Sequence, residues 1–160
     1  MSTFLPRRIS KETELMIDAD PVRVFPLLCP VREYDWLERW QCRVLYSQSG
    51  VAENNCIFET EFPHTGGREI WIVSRYEKDE AIEFVRFTPD EKIIKLDIRL
   101  QGTGTGGTRL LWRKVYTGLS PAGNRVVGAM AGDFEPEAEK IAKTLNHYLK
   151  TGTMLPLADV

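Results

Sequence analysis

The sequence predicts an α+β domain in which a curved antiparallel sheet of about seven strands wraps around a long C-terminal helix. Two observations support this prediction. Strand-like segments follow one another through residues 40–117 with short, turn-forming links, and such links join antiparallel strands. After them, residues 121–150 place apolar side chains at the helical period. We therefore expect the helix to pack its apolar stripe on one face of the sheet.

The domain is expected to begin with one strand and two short helices. Apolar and polar side chains alternate over residues 10–18, which predicts the strand. Asp20 can cap a short helix that has Pro21 at its first position, a combination that helix starts favour. A second short helical turn is expected over residues 31–39.

Six further strands are predicted from alternating segments that are rich in β-branched and aromatic residues. The alternation is clearest after Asn55, where Cys56, Phe58, Thr60 and Phe62 share one face. Residues that favour turns separate these segments. The predicted strands cover residues 40–47, 56–62, 68–76, 81–88, 93–100 and 108–117.

The C-terminal segment 121–150 carries one apolar stripe at helical spacing. Pro136 lies inside it, and a proline there either kinks the helix or sits in the first turn of a new helix capped by Asp133. Gly152 is placed to end the helix. The predicted stripe consists of Val126, Met130, Phe134, Ala138, Ile141, Leu145 and Tyr148.

Length and composition are those of one globular domain. The 160 residues are 42% hydrophobic and 28% charged, with a formal net charge of −2 that offers no electrostatic footprint for nucleic acid. Residues 10–152 are expected to form a single domain between a weakly ordered arm (1–9) and tail (153–160). No apolar run is long enough to span a membrane. Three cysteines without metal-ligand spacing suggest reduced thiols in a cytoplasmic protein, and we expect no metal and no cofactor.

Sixteen aromatic residues, four of them Trp, suggest that the fold encloses a cavity. One helix about 10 Å wide cannot cover seven strands spaced about 4.8 Å apart. The rest of the inward face must be filled by large side chains or left open, and aromatic side chains commonly line small-molecule sites. The candidate ligand-binding residues are Trp36, Trp40, Phe58, Phe62, Trp71, Phe84 and Trp112, closed by Met130 and Phe134.

No established catalytic motif is present. The G-x-G-x-x-G pattern at residues 102–107 precedes a strand instead of the helix that would hold a pyrophosphate, so we interpret it as a hairpin. His64 follows a strand beside a glycine turn, where it is either an exposed loop residue or a general base at a cavity mouth. Charged residues within strands are expected mainly to face solvent. The candidates for acid, base or anion-holding roles are His64, Arg75, Asp97 and Tyr116.

Residues 17–25 (IDADPVRVF) resemble the start of START-like (SRPBCC) domains, with an apolar strand, an acidic or small residue, Pro, and then Val and an aromatic residue. Trp36 and Trp40 resemble the Trp that members often carry near the end of the second helix, and residues 145–150 resemble the end of their long helix. The resemblance covers residues 10–152 and extends to polyketide cyclase-like and Bet v 1-like proteins. It implies a helix-grip fold with a hydrophobic ligand held between sheet and helix.

Three functions remain open at this level. The first is binding of a hydrophobic or aromatic small molecule or lipid in the cavity. The second is an enzyme, a cyclase, dehydratase or hydrolase acting on an aromatic or polyketide-like substrate, which needs polar groups to converge inside the cavity. The third is a co-chaperone-like interaction module, which needs an exposed apolar patch. We expect no nucleic-acid partner and no integral membrane association, and a monomer or homodimer.

Overall fold

The computed structural model describes residues 3–62 and 67–160. Their strands form a seven-stranded antiparallel sheet, as predicted. The strands are β1 (Arg8–Ile17), β2 (Arg43–Tyr46), β3 (Ile57–Phe62), β4 (Gly67–Glu77), β5 (Ala81–Thr88), β6 (Lys92–Gly102) and β7 (Thr108–Gly118). Their order across the sheet is β1-β7-β6-β5-β4-β3-β2, so successive strands from β2 to β7 are neighbours and β1 pairs with β7.

The helices follow the predicted order. A short helix, α1 (Pro21–Val24), leads into 3₁₀ turns at Phe25–Leu28 and Glu33–Asp35, and the C-terminal segment contains α2 (Pro121–Gly132) and α3 (Phe134–Thr151). None of the helices between residues 3 and 62 or 67 and 160 is long and apolar enough to cross a membrane.

The C-terminal helical segment is divided at Asp133, three residues before the proline expected to disturb it. Asp133 takes the N-cap position of α3, although its side chain makes no capping hydrogen bond. Pro136 therefore lies in the first turn of α3. An N–H in that turn has no intrahelical acceptor, so the missing donor of proline costs little there.

This division changes which side chains of α2 are buried. The predicted stripe placed Val126 and Met130 against the sheet, whereas the buried side chains of α2 are Val127 and Ala131. Because the helical segment is interrupted at Asp133, α2 and α3 do not share one continuous helical period. The predicted stripe, which assumed one period, therefore falls one residue before the buried positions of α2. In α3 the predicted positions Phe134, Ala138 and Leu145 are buried.

Strand β2 is shorter than predicted because the residues before it bond to the preceding segment. The N–H of Cys42 donates to the hydroxyl of Tyr34 (2.8 Å), which in turn donates to the carbonyl of Cys42 (2.8 Å). The indole N–H of Trp40 donates to the carbonyl of Pro30 (2.8 Å). These bonds hold residues 40–42 against the 3₁₀ region and place the Trp40 side chain at the end of the sheet.

Candidate functional site

A cavity of about 580 Å³ opens between α3 and the end of the sheet that carries β3. One wall is the loop from Leu37 to Trp40 together with Phe62 at the end of β3, and the opposite wall is a face of α3. The C-terminal tail contributes to the mouth. The lining residues are Leu37, Glu38, Arg39, Trp40, Phe62, Glu137, Lys140, Ile141, Thr144, Leu155, Leu157 and Val160.

The C-terminal tail lies across the cavity and does not extend away from the domain. The backbone N–H of Leu157 donates to the carboxylate of Glu38 (2.5 Å) on one wall. The ammonium of Lys143, on α3, donates to the carbonyl of Asp159 (2.7 Å). The tail thus bridges the loop and the helix, and its own Leu155 side chain is buried.

Five of the predicted ligand-binding residues form one contiguous group of rings. Phe58 stacks on Trp71 with 5.1 Å between centroids, and Phe84 meets both edge-on at 6.0 and 5.9 Å. Trp40 meets Trp71 edge-on at 6.2 Å and lies 5.6 Å from Phe62. Trp40 and Phe62 line the cavity, and the other three rings lie behind them on the inward face of the sheet.

The other four predicted residues pack in the hydrophobic core. Trp36 is buried and its indole N–H donates to the carbonyl of Leu27 (2.8 Å). Trp112 and Phe134 are buried, and Met130 packs partly buried against the same core.

A buried ion pair lies directly behind the aromatic wall. Arg86 and Glu69 have side chains only 8% and 1% exposed and make two hydrogen bonds, from Nη2 to Oε1 (2.7 Å) and from Nε to Oε2 (3.2 Å). The guanidinium also lies 4.4 Å from the centroid of the Trp71 ring, whose N–H donates to Thr60 (2.9 Å). Pairing and stacking of this kind offset the cost of burying both charges.

A second buried charge joins the sheet to the wall formed by α3. The ammonium of Lys114, on β7, is 2.7 Å from the carboxylate of Glu137, and the Lys114 side chain is 2% exposed. Burial lowers the pKa of Lys114, and the Glu137 carboxylate opposes that effect. Glu137 itself lines the cavity. At the far end of the same face the buried ammonium of Lys92 donates to the hydroxyl of Thr88 (3.1 Å).

Two further titratable groups interact with Arg86. Burial raises the pKa of Glu33 to about 8, and Arg86 counteracts part of the rise. The Glu33 side chain nevertheless stays partly accessible to solvent. The buried hydroxyl of Tyr116 has no hydrogen-bond partner among the described residues, and burial raises its pKa well above the ordinary value.

The structure separates the predicted catalytic candidates. Tyr116 lies on the inward face, beneath the C-terminal helices. Arg75 and Asp97 lie on the outward face of the sheet, each paired with an oppositely charged residue two positions away on its own strand. His64 lies outside the described residues. Within the described ranges, no three His, Cys, Asp or Glu side chains are grouped as a metal ion would require.

Sequence reasoning did not name Glu69 or Lys114, and it noted Arg86 only among the strand charges expected mainly to face solvent. Residues two apart in a strand share a face. Glu69 lies two positions from Trp71, Arg86 two from Phe84 and Lys114 two from Trp112, so the strand period placed all three on the inward face. This placement was missed because charged residues in strands are generally expected to face solvent. No sequence pattern marks Glu33, whose burial depends on how the 3₁₀ region folds over the sheet.

No protein-family model matches the sequence, and neither does any curated protein. Solved structures do match. Norcoclaurine synthase from Thalictrum flavum, in complex with dopamine and hydroxybenzaldehyde, is 12% identical over 91% of this chain and 89% of that one, with a TM-score of 0.66. Ara h 8.0201 is 11% identical over 91% and 99%, with a TM-score of 0.65. DynU16, from the dynemicin biosynthetic locus, is 16% identical over 90% of this chain and 48% of that one, with a TM-score of 0.59.

These similarities confirm the fold. The chain has a helix-grip, Bet v 1-like fold, as the resemblance of residues 17–25 and the order of elements predicted. At such low identities the likeness establishes the architecture, and the function must be argued from this chain's own residues.

Proposed function

We propose that the protein binds a hydrophobic or aromatic small molecule, or a lipid, in the cavity between the sheet and α3. The observation that supports this proposal is the cavity itself, about 580 Å³ with Trp40, Phe62 and Ile141 in its walls. Small-molecule sites typically have about 300–1,000 Å³ and mainly apolar linings with a few polar groups. Displacing water from these side chains would favour binding of an apolar molecule.

The solved neighbours support the same class of ligand. Norcoclaurine synthase, which shares the fold, is in complex with dopamine and hydroxybenzaldehyde, two small aromatic molecules. In this chain the adjacent rings of Trp40 and Phe62 line the cavity and provide surfaces on which an aromatic molecule can stack.

A neutral fluorescent probe tests the proposal. N-phenyl-1-naphthylamine should bind the purified protein with increased emission, and a ligand at a hundred times its dissociation constant should add about 2.7 kcal/mol to stability. Ile141→Trp, which fills the cavity from α3, should weaken probe binding at least ~10-fold, about 1.4 kcal/mol. Glu139→Trp adds the same ring at an exposed position of α3 and is the matched control. Absence of binding, or equal binding by both variants, would contradict the proposal.

Native mass spectrometry can identify the natural ligand. Protein purified from its own host should carry a small molecule that is lost on denaturation. The Ile141→Trp variant purified in parallel should carry less of it, whereas the Glu139→Trp variant should carry the wild-type amount.

A second candidate function is acid–base catalysis on the bound molecule, as in a cyclase, dehydratase or hydrolase acting on an aromatic or polyketide-like substrate. The observation that favours it is the set of interacting titratable groups behind the cavity, with raised pKa values at Glu33 and Tyr116 and a lowered one at Lys114. Incubating the co-purified molecule with the wild type and with Glu33→Gln should convert it only in the first case. If neither protein changes the molecule, the catalytic function is contradicted and only the binding function remains. The co-chaperone-like alternative stays a prediction.

A further inference from the structure

We propose that the C-terminal tail, residues 153–160, is a strap that opens to admit a ligand to the cavity and closes behind it. This inference rests on the proposed function and adds a control on it. The walls of the cavity determine how tightly a molecule binds, and the strap determines how fast that molecule enters and leaves.

The tail is the part of the cavity mouth that joins the two walls. Leu155, Leu157 and Val160 line the cavity together with residues of the loop 37–40 and of α3. With the tail in this position the cavity has a volume of about 580 Å³. The tail therefore covers the space without filling it, as a closed strap does.

Few interactions hold the tail in place. One anchor is the hydrogen bond from the N–H of Leu157 to the carboxylate of Glu38 (2.5 Å), on the loop. The other is the bond from the ammonium of Lys143, on α3, to the carbonyl of Asp159 (2.7 Å). Of residues 153–160, only Leu155 is buried. A segment with so few buried contacts opens locally at far lower free energy than the whole fold.

The two walls are held more firmly than the tail. The wall formed by α3 has four buried residues, among them Phe134, that pack beneath the helix. On the other side Trp36, just before the loop, is buried with its indole N–H on a backbone carbonyl (2.8 Å), and the indole N–H of Trp40 is bonded in the same way (2.8 Å). Moving either wall would disturb these contacts, so the tail is the element that can open the mouth.

A hinge lies where the tail leaves α3. Gly152, the first residue after the helix, has a φ of 71°, a left-handed conformation that glycine adopts without strain. Its N–H donates to the carbonyl of Tyr148 (2.7 Å), which fixes the end of the helix. The 3₁₀ turn Leu157–Asp159 keeps the far end of the tail compact. The tail can therefore swing about Gly152 once its two anchors break.

Lys143 allows the strap to be tested apart from the walls. It holds the tail but is not among the described residues that line the cavity, so it acts on a bound molecule only through the tail. Lys143→Met removes the donor at an exposed position of α3 and introduces a residue that helices favour. Lys150→Met is the matched control, because Lys150 is also exposed on α3 and makes no hydrogen bond to the described tail.

Stopped-flow fluorescence with N-phenyl-1-naphthylamine measures the association rate constant on mixing and the dissociation rate constant on dilution. We expect Lys143→Met to raise both at least ~5-fold and to change the dissociation constant less than ~3-fold, because the anchor is lost in the free and the bound protein alike. Lys150→Met should match the wild type. Glu38→Ala removes the other anchor and should also raise both rate constants, whereas Glu139→Ala, at an exposed position of α3, should raise neither.

Two kinetic results would overturn the strap. The first is a pair of unchanged rate constants in Lys143→Met, or equal changes in Lys143→Met and Lys150→Met. The second is faster dissociation with unchanged association, because the tail would then be only a part of the wall that the ligand contacts.

Hydrogen exchange of the tail, measured without any probe, separates the strap from the proposed function. The N–H groups of Leu157 and Asp159 are hydrogen-bonded in the closed position. Peptides covering residues 153–160 should exchange at least ~5-fold faster in Lys143→Met than in the wild type or Lys150→Met. Equal exchange in all three would overturn the strap, whereas failure of the probe to bind any of the proteins would contradict the proposed function.

Discussion

The raised pKa of Glu33 predicts that stability falls as pH rises and that Glu33→Gln removes the fall. An ordinary Glu has a pKa of 4.5, and burial raises that of Glu33 to about 8. The folded state therefore holds this proton more tightly than the unfolded state does. Between these two values each step up in pH favours unfolding, and below 4.5 or above 8 the contribution is constant.

The size of the effect follows from the same two values. Each pKa unit corresponds to about 1.4 kcal/mol, so the rise from 4.5 to about 8 sets a ceiling of ~5 kcal/mol on the loss between pH 5 and pH 9. Because part of the side chain is accessible, water lowers this ceiling, and we expect a loss of about 2–4 kcal/mol. That is a large share of a typical stability of about 5–15 kcal/mol.

Urea unfolding followed by tryptophan fluorescence at several pH values measures this loss. Lowered pKa values at Glu53, Glu59 and Glu135 affect stability at and below pH 4.5, so they fall outside the interval. The difference between the wild-type and Glu33→Gln curves isolates the contribution of Glu33.

The matched control is Glu139→Gln, which removes an exposed carboxylate from α3. Its stability should follow the wild-type curve, while that of Glu33→Gln should be nearly flat by comparison. If Glu33→Gln parallels the wild type from pH 5 to pH 9, Glu33 is not desolvated and the reasoning fails.

Two further predictions concern packing and buried charge. Gly123→Ala would place a methyl group against the backbone carbonyl of Glu91, so we expect a loss of at least about 1–3 kcal/mol, whereas Gly132→Ala, with nothing within 4 Å, should lose nothing. Differential scanning calorimetry distinguishes the two, and equal effects would contradict the close approach. Arg86→Met leaves Glu69 buried and unpaired and should cost about 3–5 kcal/mol in urea unfolding. Adding Glu69→Leu should recover most of this loss, and a double variant as unstable as the single one would show that the pair itself stabilises the fold.

The order of elements was predictable because it depends on local patterns. Residues 56–62 and 108–117 alternate with the period of a strand, and short turn-rich links leave little choice but antiparallel pairing. Pro136 likewise marked a disturbance in the helical segment. The sequence could not choose between a kink and a new start at Asp133, because both satisfy the same local rules.

The sequence predicted which aromatic rings share the inward face, but not which of them line the cavity. Alternation placed Phe58, Trp71 and Phe84 on one face, and the structure brings them together. Which rings reach the cavity depends on where α3 lies across the sheet. Trp40 and Phe62 line it, whereas Trp112 is covered in the core.

The sequence by itself determined the strands, the terminal helices and a surplus of rings, since these depend on periodicity and on turn and cap residues close in the chain. Only the tertiary structure paired Arg86 with Glu69 and Lys114 with Glu137, and only it set the C-terminal tail across the mouth of the cavity. Periodicity tells which side chains share a face, but it does not tell which polar groups meet across strands, helix and loop. That depends on strand register and on the position of α3, and burial then shifts the pKa values of the groups that meet there.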